Sequence, residues 1–170
     1  LINAHYRSPI DMNEALLNDA ERNYNRLLEC YVAALKAQGD GPTVHLPHPD
    51  VASPHPLARA TGLLEKMGEG FARAMDDDFN SREAVAKVLG MVREISKTLA
   101  VDMDVADRQA FAAYAVDLLE ETAGRVLGVL PSQDMALAEP EEDPRKAAIA
   151  DQVEALLVQR SEARASKDWA

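Results

Sequence analysis

Ala74-Met75-Asp76-Asp77-Asp78-Phe79-Asn80-Ser81-Arg82-Glu83 lies where one helical pattern of the chain gives way to the next. An apolar pattern enters it through Leu63, Leu64, Met67, Phe71 and Met75, and another leaves through Val85, Val88, Leu89, Val92, Ile95 and Leu99. Both recur at three- and four-residue spacing, the period of an amphipathic helix. Asn80 and Glu83 stand three apart, the spacing at which an N-cap and its partner each take a backbone N–H that the helix start leaves free. Asp76, Asp77 and Asp78 beside that new N-terminus suit the positive end of a helix dipole. The stretch therefore predicts a tight corner between two antiparallel helices, with Phe79 turned inward to pin it.

Upstream of the corner, Pro9 disfavours a helical Ser8, so the first long helix starts after it. Asn13 is a better N-cap than Asp11, and Glu14 suits the first turn. Leu16, Leu17, Ala20, Tyr24, Leu27, Leu28, Tyr31 and Leu35 make a broad apolar stripe that Gly39 and Gly41 end. The Pro-, His- and Asp-rich stretch 40–56 excludes a helix or central strand and reads as an extended surface loop. The second helix, near Leu57 to Met75, carries Gly62, Gly68 and Gly70. Each weakens it by about 1 kcal/mol relative to alanine, unless it admits a close helix contact.

Downstream, the third helix spans about Ser81 to Ala100, and a short turn with Asp102 and Asp104 follows. A fourth helix starts near Asp107 and carries Phe111, Tyr114, Ala115, Leu118, Leu119, Thr122 and Val126 as far as Gly128. Asp143-Pro144 opens a fifth helix with Ile149, Val153, Leu156 and Leu157, and Asp168 caps the start of a sixth. No strand signal of any strength is present. The expected organisation is an all-α antiparallel bundle over 1–130, an acidic linker over 131–143, and the start of a C-terminal unit over 144–170.

A chain of 170 residues makes one domain, or one domain with an appendage. Aromatic residues are only 5% against 47% hydrophobic overall, which favours helices, because sheets draw on aromatic and β-branched side chains. No apolar run reaches membrane-spanning length, so no membrane partner is expected, and the start lacks a signal-peptide pattern. The single Cys30 excludes an intrachain disulfide and fits a reducing compartment. The chain opens at Leu1 and stops at Trp169-Ala170, where a helix is beginning, and so reads as an excised piece.

A formal charge of −11 argues against broad nucleic-acid binding, which needs a basic face, although a small local patch suffices for a specific contact. The Asp76-Asp77-Asp78 run invites a magnesium reading, yet successive helical residues point about 100° apart and do not converge on one ion. His45, His48 and His55 lack the rigid tetrahedral frame that zinc needs and read as part of a solvated loop. Cys30 falls in the apolar register of the first helix, as a small core residue. No phosphate-binding glycine loop, nucleophile elbow or paired metal-binding histidines occur, so the residues show no catalytic machinery and no cofactor site.

The tail is different. Arg160 and Arg164 lie four apart on one helical face, and the only tryptophan, Trp169, follows. A guanidinium bonds bidentately to phosphate or a guanine edge, and an indole stacks on a base for about 1–3 kcal/mol. Unpaired RNA loops are read by this combination. Composition alone favours the plainer alternative, in which the arginines pair with Glu162, Asp168 or bundle acids and Trp169 packs as a staple.

Three blocks, in order, resemble the bacterial cysteinyl-tRNA synthetases. His5-Tyr6-Arg7-Ser8-Pro9 is similar to that family's H-Y-R-S-P/Q turn, and the corner to its A-M-D-D-D-F-N-T-P-E-A block. Arg160 to Trp169 is similar to its R-x-x-A-R-x-x-K-D-W/F segment. Ser81-Arg82 stands where the family has Thr-Pro. The resemblance implies the helical bundle of the class I synthetase anticodon-binding type, from an enzyme that joins cysteine to tRNA-Cys with ATP and a catalytic zinc in the cytoplasm. The family's H-I-G-H and K-M-S-K-S motifs are absent, so ATP and zinc would belong to the parent enzyme and not to this part. On the same resemblance Arg164 would bind an anticodon base, Trp169 would offer a stacking face and Arg160, a lesser candidate, would contact phosphate or serve the structure. The partners implied are tRNA-Cys and the catalytic domain of the same parent chain. Two alternatives stand beside this reading: the helical domain of the paralogue that ligates cysteine to an amino-sugar inositol, and a plain protein-interaction bundle.

Overall fold

In the computed structural model, which describes Arg7, residues 13–39 and residues 56–138, every regular element is helical. Asn13 is extended and its side chain accepts the Leu16 N–H at 2.9 Å, which starts α1 (Glu14–Gln38) where the cap rule places it. Gly39 stops that helix with φ 61°, a backbone that residues with a Cβ rarely adopt. The helices α2 (Pro56–Asp76) and α3 (Ser81–Leu99) form the expected hairpin and pack more extensively on each other than any other pair. The fourth helix, α4 (Val105–Leu119), packs mainly on α1, and α1 also meets α3. The described residues up to Leu137 fall in one compact unit.

The apolar stripes meet in a core whose fully buried side chains include Tyr31, Leu64, Met91, Ile95, Phe111 and Leu119. Each such side chain contributes about 1.5–3 kcal/mol relative to leaving it in water. The stripe of α1 is buried only over its second half. Leu27, Tyr31 and Leu35 are inside, whereas Leu17 and Tyr24 remain exposed. Of the glycines in α2, Gly68 and Gly70 meet neighbouring side chains, a Cβ on Gly70 falling 3.0 Å from Lys87. Gly62 faces open space and weakens the helix without a contact in return.

The fourth helix corrects the sequence reading at both ends. It starts at Val105, two residues ahead of Asp107, and Asp104 is its cap: the carboxylate accepts the Asp107 N–H at 2.8 Å. An aspartate at the cap and one in the first turn share a sequence signature, and the earlier one holds the cap position. At its other end α4 passes into a π-helical turn, Glu120–Val126. There the Leu127 N–H reaches the Thr122 carbonyl at 3.1 Å, and the Thr122 hydroxyl donates to the Leu118 carbonyl at 2.7 Å. The wider turn shifts the register, so Ala123 is buried while Val126, expected in the stripe, is 50% exposed. Gly128, with φ 65°, then ends the element.

A short helix, α5 (Gln133–Leu137), occupies part of the stretch read as linker and packs against α1. Its Gln133 amide donates to Glu120 Oε1 at 2.8 Å. The loop after Gly39, the rest of the acidic linker and the fifth and sixth helices read from the sequence lie outside the described residues.

Candidate nucleic-acid interface

The corner between α2 and α3 is built without glycine. Asp78 and Phe79 both take left-handed backbone, with φ 51° and 53°, a conformation that costs an L residue about 1–2 kcal/mol. The Phe79 N–H bonds to the Met75 carbonyl at 3.2 Å, and the Asn80 N–H to the Ala74 carbonyl at 2.9 Å and the Asp77 carbonyl at 3.1 Å. The Ala74 and Met75 carbonyls, which the end of α2 leaves free, are thereby satisfied. Asn80 then caps α3, its side chain accepting the Glu83 N–H at 3.2 Å.

Two expectations about this corner are corrected. Glu83 does not complete a reciprocal capping box on Asn80, whose N–H is already held by Ala74 and Asp77; the Glu83 carboxylate lies 3.3 Å from Lys87 Nζ instead. Phe79 is not turned inward. It is 66% exposed, because two successive left-handed residues swing the chain out of the hairpin and carry the ring with it. Phe71, a few turns back along α2, fills the core position instead, at 4% exposure.

Asp76, Asp77 and Asp78 follow one another through this turn. Among the described residues no group of His, Cys, Asp or Glu gathers as a metal ion would require. Asp78 makes a two-pronged ion pair with Arg7, at 3.0 Å and 3.5 Å. The first two motif blocks, far apart in the chain, therefore touch. Nothing in the sequence linked Arg7 to Asp78, since a fork-on-carboxylate pair across such a separation leaves no spacing to read.

Buried titratable groups tie the helices together behind this surface. The Tyr31 hydroxyl donates to Glu120 Oε1 at 2.5 Å, joining α1 to the π turn. Burial and that carboxylate push the Tyr31 phenol well above its ordinary value. Burial, with Glu65 nearby, pushes Tyr114 to about 12. Burial likewise raises the Cys30 thiol, which sits 3.6 Å from the Val92 carbonyl as a core group. Each is held in its neutral form, as a structural element and not a nucleophile or base. Arg160, Arg164 and Trp169, the residues that the sequence nominates for RNA contact, lie outside the described residues.

Residues 70–131, from late α2 through the corner, α3, α4 and the π turn, match the family described as the DALR domain. The whole chain is similar to curated cysteine–tRNA ligases. It is 36% identical over 170 residues to the one from Ectopseudomonas mendocina, covering all of this chain and 30% of that protein. It is 35% identical over 169 residues to the one from Shewanella amazonensis, covering 99% of this chain and 30% of that protein. The Pelobacter propionicus enzyme is 28% identical over 172 residues, with 99% of this chain and 35% of the relative covered. The chain thus spans about a third of the length of these relatives. No solved structure matches it.

Proposed function

We infer, from a DALR domain set in a chain related along its length to the C-terminal region of bacterial cysteine–tRNA ligases, that this bundle binds tRNA. In this reading the parent protein is a cytoplasmic ligase that attaches cysteine to tRNA-Cys, with ATP and zinc handled by its catalytic domain. The helical part is not catalytic. It is a spacer of fixed length between that catalytic domain and the anticodon. Arg164 and Trp169 form the reading tip, as a planar donor beside a stacking face, and Arg160 adds a phosphate contact.

The observation that carries this reading is similarity over the full chain to cysteine–tRNA ligases, rather than over one motif alone. A rigid spacer also fits the hairpin, whose two helices share a continuous dry face from Leu64 to Ile95. No helix among the described residues is long and apolar enough to cross a membrane. The test is a binding titration with labelled tRNA carrying a GCA anticodon against the same tRNA with that triplet replaced. The GCA form is expected to bind more tightly, and Arg164→Ala to remove the difference. Equal binding of both tRNAs by the unaltered chain removes the anticodon-reading claim.

A further inference from the structure

We propose that the groove between α1 and α3 seats an RNA backbone phosphate, with Arg26 and Arg93 as its donors. The proposal rests on the tRNA reading above and adds a second contact, away from the residues nominated for the anticodon. Arg26 on α1 and Arg93 on α3 are exposed and line one groove of about 530 Å3, with Cys30 and Val92 buried at its base and Ser96 exposed beside them.

These two arginines differ from five other cations of the described residues in the company they keep. Arg22, Arg73, Lys87, Lys97 and Arg125 each lie against a carboxylate three or four residues away on their own helix. Those cations are locally neutralised and attract an outside anion only weakly. Arg26 and Arg93 form none of these pairs, which is also true of Lys36, Arg59, Lys66 and Arg82, but they line one groove together. They come from two helices that a shared core holds in place, so their guanidinium forks are presented on a rigid frame. A planar five-donor fork matches phosphate geometry bidentately.

The rest of the surface sharpens the assignment. The chain carries a net −11, so its overall field repels RNA and a contact must be made by local donors. A second groove among the described residues, about 390 Å3 at the start of α4, is bordered by Glu94, Asp102, Asp104 and Asp107 against Arg59 and Lys97. Carboxylates dominate there, and that groove suits a phosphate poorly. The α1–α3 groove has one carboxylate on its rim, Glu29, which opposes an anion. Removing that charge therefore strengthens the proposed contact.

The experiment is a salt titration of tRNA binding by the full chain and its Arg26→Ala, Arg93→Ala, Glu29→Gln and Arg59→Ala variants, each checked for an unchanged thermal melt. The slope of log affinity against log salt is expected to shrink by about 1 for Arg26→Ala and for Arg93→Ala. The loss is expected to be the same for tRNAs with either anticodon, because a phosphate carries no sequence information. Glu29→Gln is expected to tighten binding, and Arg59→Ala to leave the slope unchanged. Wild-type slopes in both groove variants overturn the proposal while leaving the tRNA reading intact. An equal loss in Arg59→Ala overturns it in favour of diffuse charge. Absence of tRNA binding by the unaltered chain overturns both.

Discussion

Phe71 and Phe79 flank the same helix end and meet opposite fates. Phe71 is 4% exposed within the core, while Phe79 is 66% exposed on left-handed backbone. The hairpin is therefore held by the faces of its helices and not by a plug at its corner. A comparison with Gly128 makes the same point: there the left-handed residue that follows a helix is a glycine, at no steric cost. At the corner the chain keeps Asp78 and Phe79 in that conformation, and Asp78 pairs with Arg7.

The largest effect that tests this contrast is Phe71→Ala, expected to cost about 3–5 kcal/mol in a denaturant melt, as emptying a buried aromatic site does. Next comes the buried hydroxyl on the other side of the core. Tyr31→Phe leaves Glu120 with Gln133 alone and is expected to cost about 1–3 kcal/mol near neutral pH. The same group sets an alkaline limit. The Tyr31 and Tyr114 phenols are raised above their ordinary value of 10.0, so the stability they confer is complete below pH 10. It is lost as pH climbs from there through the folded-state values, about 12 for Tyr114. Melts recorded from pH 8 to 12 check this, and Tyr31→Phe should flatten the decline. The smallest effect is expected at Phe79→Ala, within about 0.5 kcal/mol, the range of an exposed substitution. A loss as large as that of Phe71→Ala would break the contrast and put the ring inside.

Much of this was legible beforehand, and the failures have physical causes. Asn13 and Asn80 announced their helices because an amide side chain before an apolar run supplies the acceptor that free N–H groups need. The stripes located Leu64, Phe71, Val88 and Ile95 correctly, because period and burial are the same fact in a two-faced helix. Phe79 misled because an aromatic beside an apolar run defaults to the core, and a left-handed turn without glycine leaves no signal. The π turn was hidden for a similar reason, since one extra residue per turn looks in sequence like a drifting stripe. Leu17 and Tyr24 belong to a good stripe with no helix of the described residues covering it, which periodicity cannot report. The RNA candidates Arg160, Arg164 and Trp169 rest on the order of motifs, and Arg26 and Arg93 emerged only from the geometry of a groove.

Nuclease footprinting on this chain of tRNA with the GCA anticodon decides whether the proposed anticodon reading holds. Protection centred on the anticodon loop is expected, and its loss when Trp169 and Arg164 are both changed to alanine. An anticodon loop cleaved as freely with the protein as without it would contradict the account.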